Sequence, residues 1–201
     1  MRDHAAGMLG WRLWRLRDGV LRSWTLSYDW SPGRNQATCL SPRSSRCQSS
    51  PGGTCQCGFW ALDSPLECLL RGRHQGIGWW PVMGLMRGWG TVAVHGQEGF
   101  RAQAAAVVCL FSDWPFVRRQ VDDAPLPGPL RRRLHALLEG GDGGPLPSEQ
   151  RERSEMLKRT APSYGVPLVS FADSVRLGLL QELGVDGRIV DEIARWTRVK
   201  T

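Results

Sequence analysis

Gly10-Trp11-Arg12-Leu13-Trp14-Arg15-Leu16-Arg17-Asp18-Gly19-Val20-Leu21-Arg22-Ser23-Trp24 is the stretch that decides the fold class. Trp11, Leu13 and Arg15 share one parity, and Arg12, Trp14 and Leu16 the other, so a strand here carries bulk on both faces. Asp18-Gly19 is a strong two-residue turn signal, because glycine tolerates the positive φ such turns demand. Residues 20–28 follow as a return strand, and Ser31-Pro32-Gly33 closes it, so 10–30 is predicted as a β-hairpin.

Downstream, residues 34–57 show no periodicity and consist of Ser, Pro, Gly and Arg around four cysteines. Residues 58–62 (GFWAL) read as a short buried strand, and Ser64-Pro65 opens a short helix over 66–70 with proline in its first turn. Residues 81–94 and 100–111 are two more extended runs around the loop His95-Gly96-Gln97-Glu98-Gly99. In the second run Val107, Cys109 and Phe111 alternate with Val108 and Leu110, which predicts burial on both faces, although Ala104-Ala105-Ala106 also suits a helix. Residues 113–147 are rich in proline and glycine and read as a flexible linker, interrupted by one short helix over 130–139. Beyond it Ser148 caps a helix that should stop before Pro162. Residues 164–169 look extended, and 171–183 and 187–196 read as two helices, with Leu177, Leu180 and Leu183 on one face. The predicted class is α+β: a β-barrel-like or rolled antiparallel sheet domain over 8–112, the linker over 113–147, and a small helical C-terminal segment over 148–201.

The 201 residues suit one large domain or a domain with an appendage. Net charge is +7, and 24 of the 26 basic residues are Arg. A GC-rich genome favours Arg over Lys; so does a surface that contacts phosphate bidentately. Only the second accounts for the excess of positive charge. No run approaches the roughly 18 apolar residues of a membrane span, and residues 1–10 lack the apolar core of a secretory signal. A soluble, cytoplasmic protein is expected, in a compartment where cysteines serve as ligands, catalytic groups or packed thiols more often than as disulfides.

Cys39, Cys47, Cys55 and Cys57 fall within 19 residues that have no apolar core of their own. Four thiolates satisfy tetrahedral zinc, and closing a loop around metal supplies the ordering that apolar burial does not. Free or redox-active thiols and a disulfide are the alternatives, since the spacing is not a pair of C-x2-C knuckles. Cys68 and Cys109 read as packed thiols.

Residues 10–16, Leu21-Arg22-Ser23, Trp30-Ser31-Pro32-Gly33, Ala37-Thr38-Cys39 and Cys55-Gln56-Cys57-Gly58-Phe59-Trp60-Ala61 resemble a family of uncharacterised proteins common in actinobacteria and seen in firmicutes. Its members share a Cys-x-Cys-Gly-Ile-Tyr-Ala segment, and a later Gly-x-Val and Gly-Tyr-Arg-Ala-Glu. Gly90-Thr91-Val92 and Gly99-Phe100-Arg101-Ala102-Gln103 are similar to the latter. The resemblance covers about residues 10–111, with a further match at Tyr164-Gly165-Val166-Pro167. It carries no activity. That family often has His near the position of Cys47, an exchange of one metal ligand for another. Phe59-Trp60 for Ile-Tyr, Gln103 for Glu, and a loose match at 95–98 are departures.

No Gly-x-Ser-x-Gly, His-Glu-x-x-His or Walker pattern occurs. His95 and Glu98 could form an acid–base pair, or be two polar residues at an exposed hairpin tip. Ten tryptophans make either an aromatic core or a stacking platform, with Arg12, Arg15, Arg17 and Arg22 beside Trp11, Trp14 and Trp24 as a nucleic-acid or partner surface. Residues 179–196 allow a helix-turn-helix reading, though Asp191 and Glu192 are poor companions for phosphate. The expected function is a non-enzymatic interaction or regulatory protein, zinc-stabilised at Cys39, Cys47, Cys55 and Cys57, that binds nucleic acid or an acidic protein. An enzyme of unidentified activity and an accessory protein of a mobile element are the alternatives.

Overall fold

The computed structural model describes residues 2–41, 47–53, 55–65, 67–68, 80–112, 128 and 147–197. In chain order these form β1 (Arg2–Arg17), β2 (Val20–Ser23), β3 (Asn35–Gln36), β4 (Phe59–Leu62), β5 (Trp80–Val94), β6 (Gly99–Phe111), α1 (Pro147–Ser163), β7 (Leu168–Val169), α2 (Phe171–Arg176), α3 (Leu179–Glu182) and α4 (Gly187–Thr197). The class is α+β, with all seven strands in one sheet. The predicted linker, with its short helix over 130–139, lies outside the described residues apart from 128 and 147.

The sheet grows from the hairpin that Asp18-Gly19 turns. Asp18 (φ 52°) and Gly19 (φ 75°) both adopt positive φ, the geometry a two-residue turn needs to match strand twist, and Arg17 pairs with Val20. The first strand begins at Arg2, earlier than the expected start at residue 10, because β5 offers it partners from Val92 to Trp80. The return strand is shorter than the predicted 20–28. It ends at Ser23, whose N–H reaches over a four-residue loop to Tyr28 O at 2.8 Å.

β5 and β6 form the second antiparallel hairpin, and β4 pairs with β6 from Phe59↔Ala102 to Leu62↔Gly99. β4 also meets β1, through the single pair Trp11↔Leu62. The ring β1–β5–β6–β4 thus closes through one residue pair, and the sheet is not a clean barrel. β7 joins the free edge of β6 in parallel. Ala104, Ala105 and Ala106 lie within β6, where pairing with Trp89, Gly88 and Arg87 overrides their helix propensity.

Both sheet faces are buried, and parity assigns each side chain to one of them. Trp11, Leu13, Met83, Leu85, Cys109 and Phe111 pack beneath α2–α4 against Phe171, Leu180 and Ile193. Trp14, Leu16, Val82, Met86, Val107 and Leu110 face the other way, onto Trp30, Phe59, Tyr164 and Leu157 of α1. Val107 and Leu110, three apart, share a face because Leu85 pairs with Cys109 but Met86 with Val107, leaving Val108 as a bulge. Stacked rings fasten α2 to the sheet: Phe111 and Phe171 lie 3.9 Å apart, with Trp11 5.5 Å from Phe111.

The helices depart from expectation at three points. α1 starts at Pro147, whose missing N–H costs nothing at a helix start, so Ser148 lies inside it. It continues through Pro162 by one residue and ends in the turn at Tyr164 and Gly165, where Gly165 N–H bonds Pro162 O at 2.9 Å. The predicted helix over 171–183 is two short ones, broken where Gly178 takes φ 69°. The break turns Leu177 outward, 66% exposed, while Leu180 is fully buried. α3 is a single turn of four residues, too short for the first helix of a helix-turn-helix pair. Among the described residues no helix is long and apolar enough to cross a membrane.

Candidate metal centre

The four cysteines of the coreless stretch come together. One sulfur from each of Cys39, Cys47, Cys55 and Cys57 lies within 4.8 Å of all the others. Cys55 and Cys57 Sγ are 2.7 Å apart, Cys47 and Cys57 3.2 Å, and Cys47 and Cys55 3.4 Å. Thiolates at about 2.3 Å from a tetrahedral ion stand roughly 3.8 Å from one another, so the cluster is of metal-site size. All six cysteines are free thiols. The group could therefore hold a metal ion through four sulfur ligands.

Glycines make room for this convergence. A Cβ on Gly52 would stand 2.5 Å from Cys47 Cβ, 2.9 Å from its sulfur and 3.0 Å from that of Cys55. Its N–H instead points to Cys57 Sγ at 3.4 Å, a contact that favours the thiolate. Gly58, at φ 111°, lets the chain leave Cys57 close against β6, where a Cβ would come within 3.2 Å of Arg101 Cβ.

The thiols share protons unevenly. Cys39 is pushed down to about 6, first by a hydrogen bond with the Ser41 side chain and then by backbone N–H groups. Cys47 is pushed up to about 12, chiefly by its hydrogen bond to Cys57, with burial adding to it. Cys55 is lowered, first by its bond with Cys57. Such a group titrates as one unit, and a cation at its centre would draw the protons off together. Cys109 is a different case: burial pushes it up to about 12 among the apolar side chains under α2–α4.

The groups behind the Cys55-Gln56-Cys57 turn are gathered by strand register, and sequence reading gave them no role at the cysteines. Arg101 on β6 is only 4% exposed. Its Nη1 donates to Cys55 O and, at 3.1 Å, to Cys57 O, while Nε donates to His95 Nε2 at 2.8 Å. The guanidinium lies over Trp60, 5.3 Å from the ring centroid, and the same ring stacks on His95 at 4.7 Å. His95 is thus half-buried and partnered by Arg101, whereas Glu98 is exposed. The available signal was a lone arginine in the small and apolar run Phe100-Arg101-Ala102, which falls opposite Trp60.

The predicted nucleic-acid surface fares differently. Trp11 and Trp14 are 2% and 0% exposed and are core residues. No face of either ring is open to a base, because α2–α4 cover the first and Trp30 and Tyr164 pack around the second. Arg12 is drawn inward with them. It donates to Trp60 O and to Ser23 Oγ and lies 4.7 Å over Trp30, and burial lowers its pKa to about 10. Arg15 stands over the half-buried Trp24 at 5.1 Å, Arg17 pairs with Asp18 at 3.4 Å, and Arg22 with Asp29 at 2.9 Å. Arg15, Arg17, Arg22 and Trp24 thus stay at the outer end of the hairpin.

The chain matches no protein-family model, no curated protein and no solved structure.

Proposed function

We propose that the protein is a non-enzymatic interaction protein whose sheet is completed by a structural zinc ion held by Cys39, Cys47, Cys55 and Cys57. The observation that carries this reading is the convergence of four sulfurs within 4.8 Å in a segment without an apolar core. Four soft ligands favour zinc over the oxygen-seeking cations. Four protein ligands also fill a tetrahedral shell, which leaves no open position for substrate and makes the site structural. Metal analysis of the purified chain should give one zinc per chain, and Cys57→Ser should lower it to near zero. A metal-free protein, or full zinc retention by a Cys55→Ser, Cys57→Ser double variant, overturns the reading.

The net charge of +7 supports an anionic partner, nucleic acid before an acidic protein, met by Arg15, Arg17, Arg22 and Trp24. Binding measured by anisotropy on duplex DNA should weaken steeply with salt, the log–log slope growing by roughly 0.9 per phosphate neutralised. No binding at low salt would reassign the surface to a protein partner.

A further inference from the structure

A divalent ion in four thiolates leaves a centre with a formal charge of about −2. Such a centre needs compensating positive charge nearby, and among the described residues Arg101 is the buried cation that contacts the cysteine turn. Its guanidinium is itself unusual. At 4% exposure it is met by two carbonyl oxygens, one imidazole nitrogen and the face of Trp60, all neutral. Among the described residues no carboxylate pairs with it. A buried guanidinium surrounded only by neutral acceptors is costly, because its charge has been taken from water without a counter-ion. The two carbonyls that it bridges belong to Cys55 and Cys57, so the charge it lacks would lie immediately beyond them once metal is bound.

We propose that Arg101 is the counter-cation of the metal-loaded centre and the positioning residue that fixes the Cys55-Gln56-Cys57 turn in its ligating shape. The inference rests on the zinc reading and adds what makes the site selective for a dianionic tetrathiolate over four neutral thiols. Only a planar fork meets the geometry, since one nitrogen reaches both cysteine carbonyls while another is held by His95. Lysine would keep the charge and lose the fork. The register Trp60↔Arg101 places the group, and His95 brings the β5–β6 tip onto it. The cysteine turn, β4 and the hairpin tip are thereby connected through one side chain that is not itself a ligand.

The test is zinc affinity of the full-length chain, by competition with a chromophoric chelator, for wild type, Arg101→Lys and Arg101→Met. Outer-shell partners of metal ligands are worth about 10- to 100-fold in affinity. Arg101→Met should weaken zinc by about that range and Arg101→Lys by less, both still binding one ion with an unchanged four-sulfur cobalt spectrum. A second measurement separates charge from mere packing. Cys47→His lowers the charge of the centre to about −1, so the loss caused by Arg101→Met should shrink in that background. Affinities within twofold of wild type for both Arg101 variants overturn the inference and leave the zinc reading intact. So does an Arg101→Met loss that is the same with Cys or His at 47. If Arg101→Met does not fold, Arg101→Gln, which also removes the charge, takes its place in the same comparison. A wild-type chain that takes up no zinc removes the metal reading itself.

Discussion

Between Trp80 and Phe111 the chain buries side chains on both faces of two long strands, whereas between Ala37 and Gly58 only Cys39, Ser50, Pro51 and Gly52 are buried among the described residues. The hairpin is held by apolar area and a long backbone ladder interrupted by two register shifts. The cysteine segment is held at its two ends, by Ala37 N–H on Gln103 O and by β4 on β6. In between, its described hydrogen bonds run to sulfur or to Arg101, apart from one that Gln56 O accepts from Trp60 Nε1 at 3.3 Å. One region is ordered by the hydrophobic effect, which needs no particular partner. The other has few buried side chains among its described residues to offset a backbone entropy cost of roughly 1–2 kcal/mol per residue, and on the proposed zinc reading the ion held by the four sulfurs supplies the rest.

The largest expected effect follows from that difference. Structural zinc supplies an apparent folding free energy of about 10–16 kcal/mol in small metal-dependent modules. Removing it should therefore release residues 37–58 while β5 and β6 keep their order. Hydrogen exchange on the chelator-treated chain should show amides of 37–58 exchanging at near-unfolded rates and those of 82–86 and 104–110 still protected. Uniform loss of protection along both regions would show that the metal organises the whole sheet and would erase the distinction.

The two regions also differed in how far they could be read. The hairpins were legible because their signals are local: alternation, the Asp18-Gly19 turn, and apolar runs on either side of a glycine loop. The cysteine cluster was legible for the opposite reason, since four thiols in a stretch without an apolar core stand out by composition alone. What stayed hidden depended on partners distant in sequence. Trp11 and Trp14 alternate with arginines, as residues on a solvent-facing ladder do, and only the arrival of Phe171 and Trp30 makes them core. Closure of the ring rests on one pair, Trp11↔Leu62, with no local mark. Arg101 acquires its role from the register with Trp60, and the break at Gly178 from the choice of φ 69° at a residue that a helix also tolerates.

A mid-sized effect sharpens the comparison from the apolar side. Trp14 is fully buried, edge-on to Trp30 at 5.3 Å, with Gly84 leaving space for its ring. Trp14→Ala should cost about 3–5 kcal/mol by chemical denaturation, the range for emptying an aromatic site. Zinc per folded chain should be unchanged, because the core cluster around Trp14 includes none of the four cysteines. A variant that loses metal in proportion to stability would mean that the two regions share one cooperative unit.

The smallest effect concerns the seam between the C-terminal segment and the first hairpin. Tyr164, just past α1, accepts a hydrogen bond from Leu21 N–H at 3.0 Å and donates one to Trp30 O at 2.5 Å. Tyr164→Phe keeps the ring and leaves a buried donor and acceptor unpaired, for a cost of about 1–3 kcal/mol at neutral pH. Burial raises the Tyr164 pKa above its ordinary value of 10.0, so the folded chain favours the neutral phenol. A group raised in this way contributes its stability fully below the unfolded value near pH 10 and loses it as pH climbs through the folded one. The gap between wild type and Tyr164→Phe, measured by urea titration, should therefore hold steady from pH 7 to 9 and narrow above 10. A gap that widens with alkalinity, or one absent at pH 7, would mean that the hydroxyl does not tie α1 to the hairpin and that apolar contact through Leu157 and Ala161 alone seats the helix.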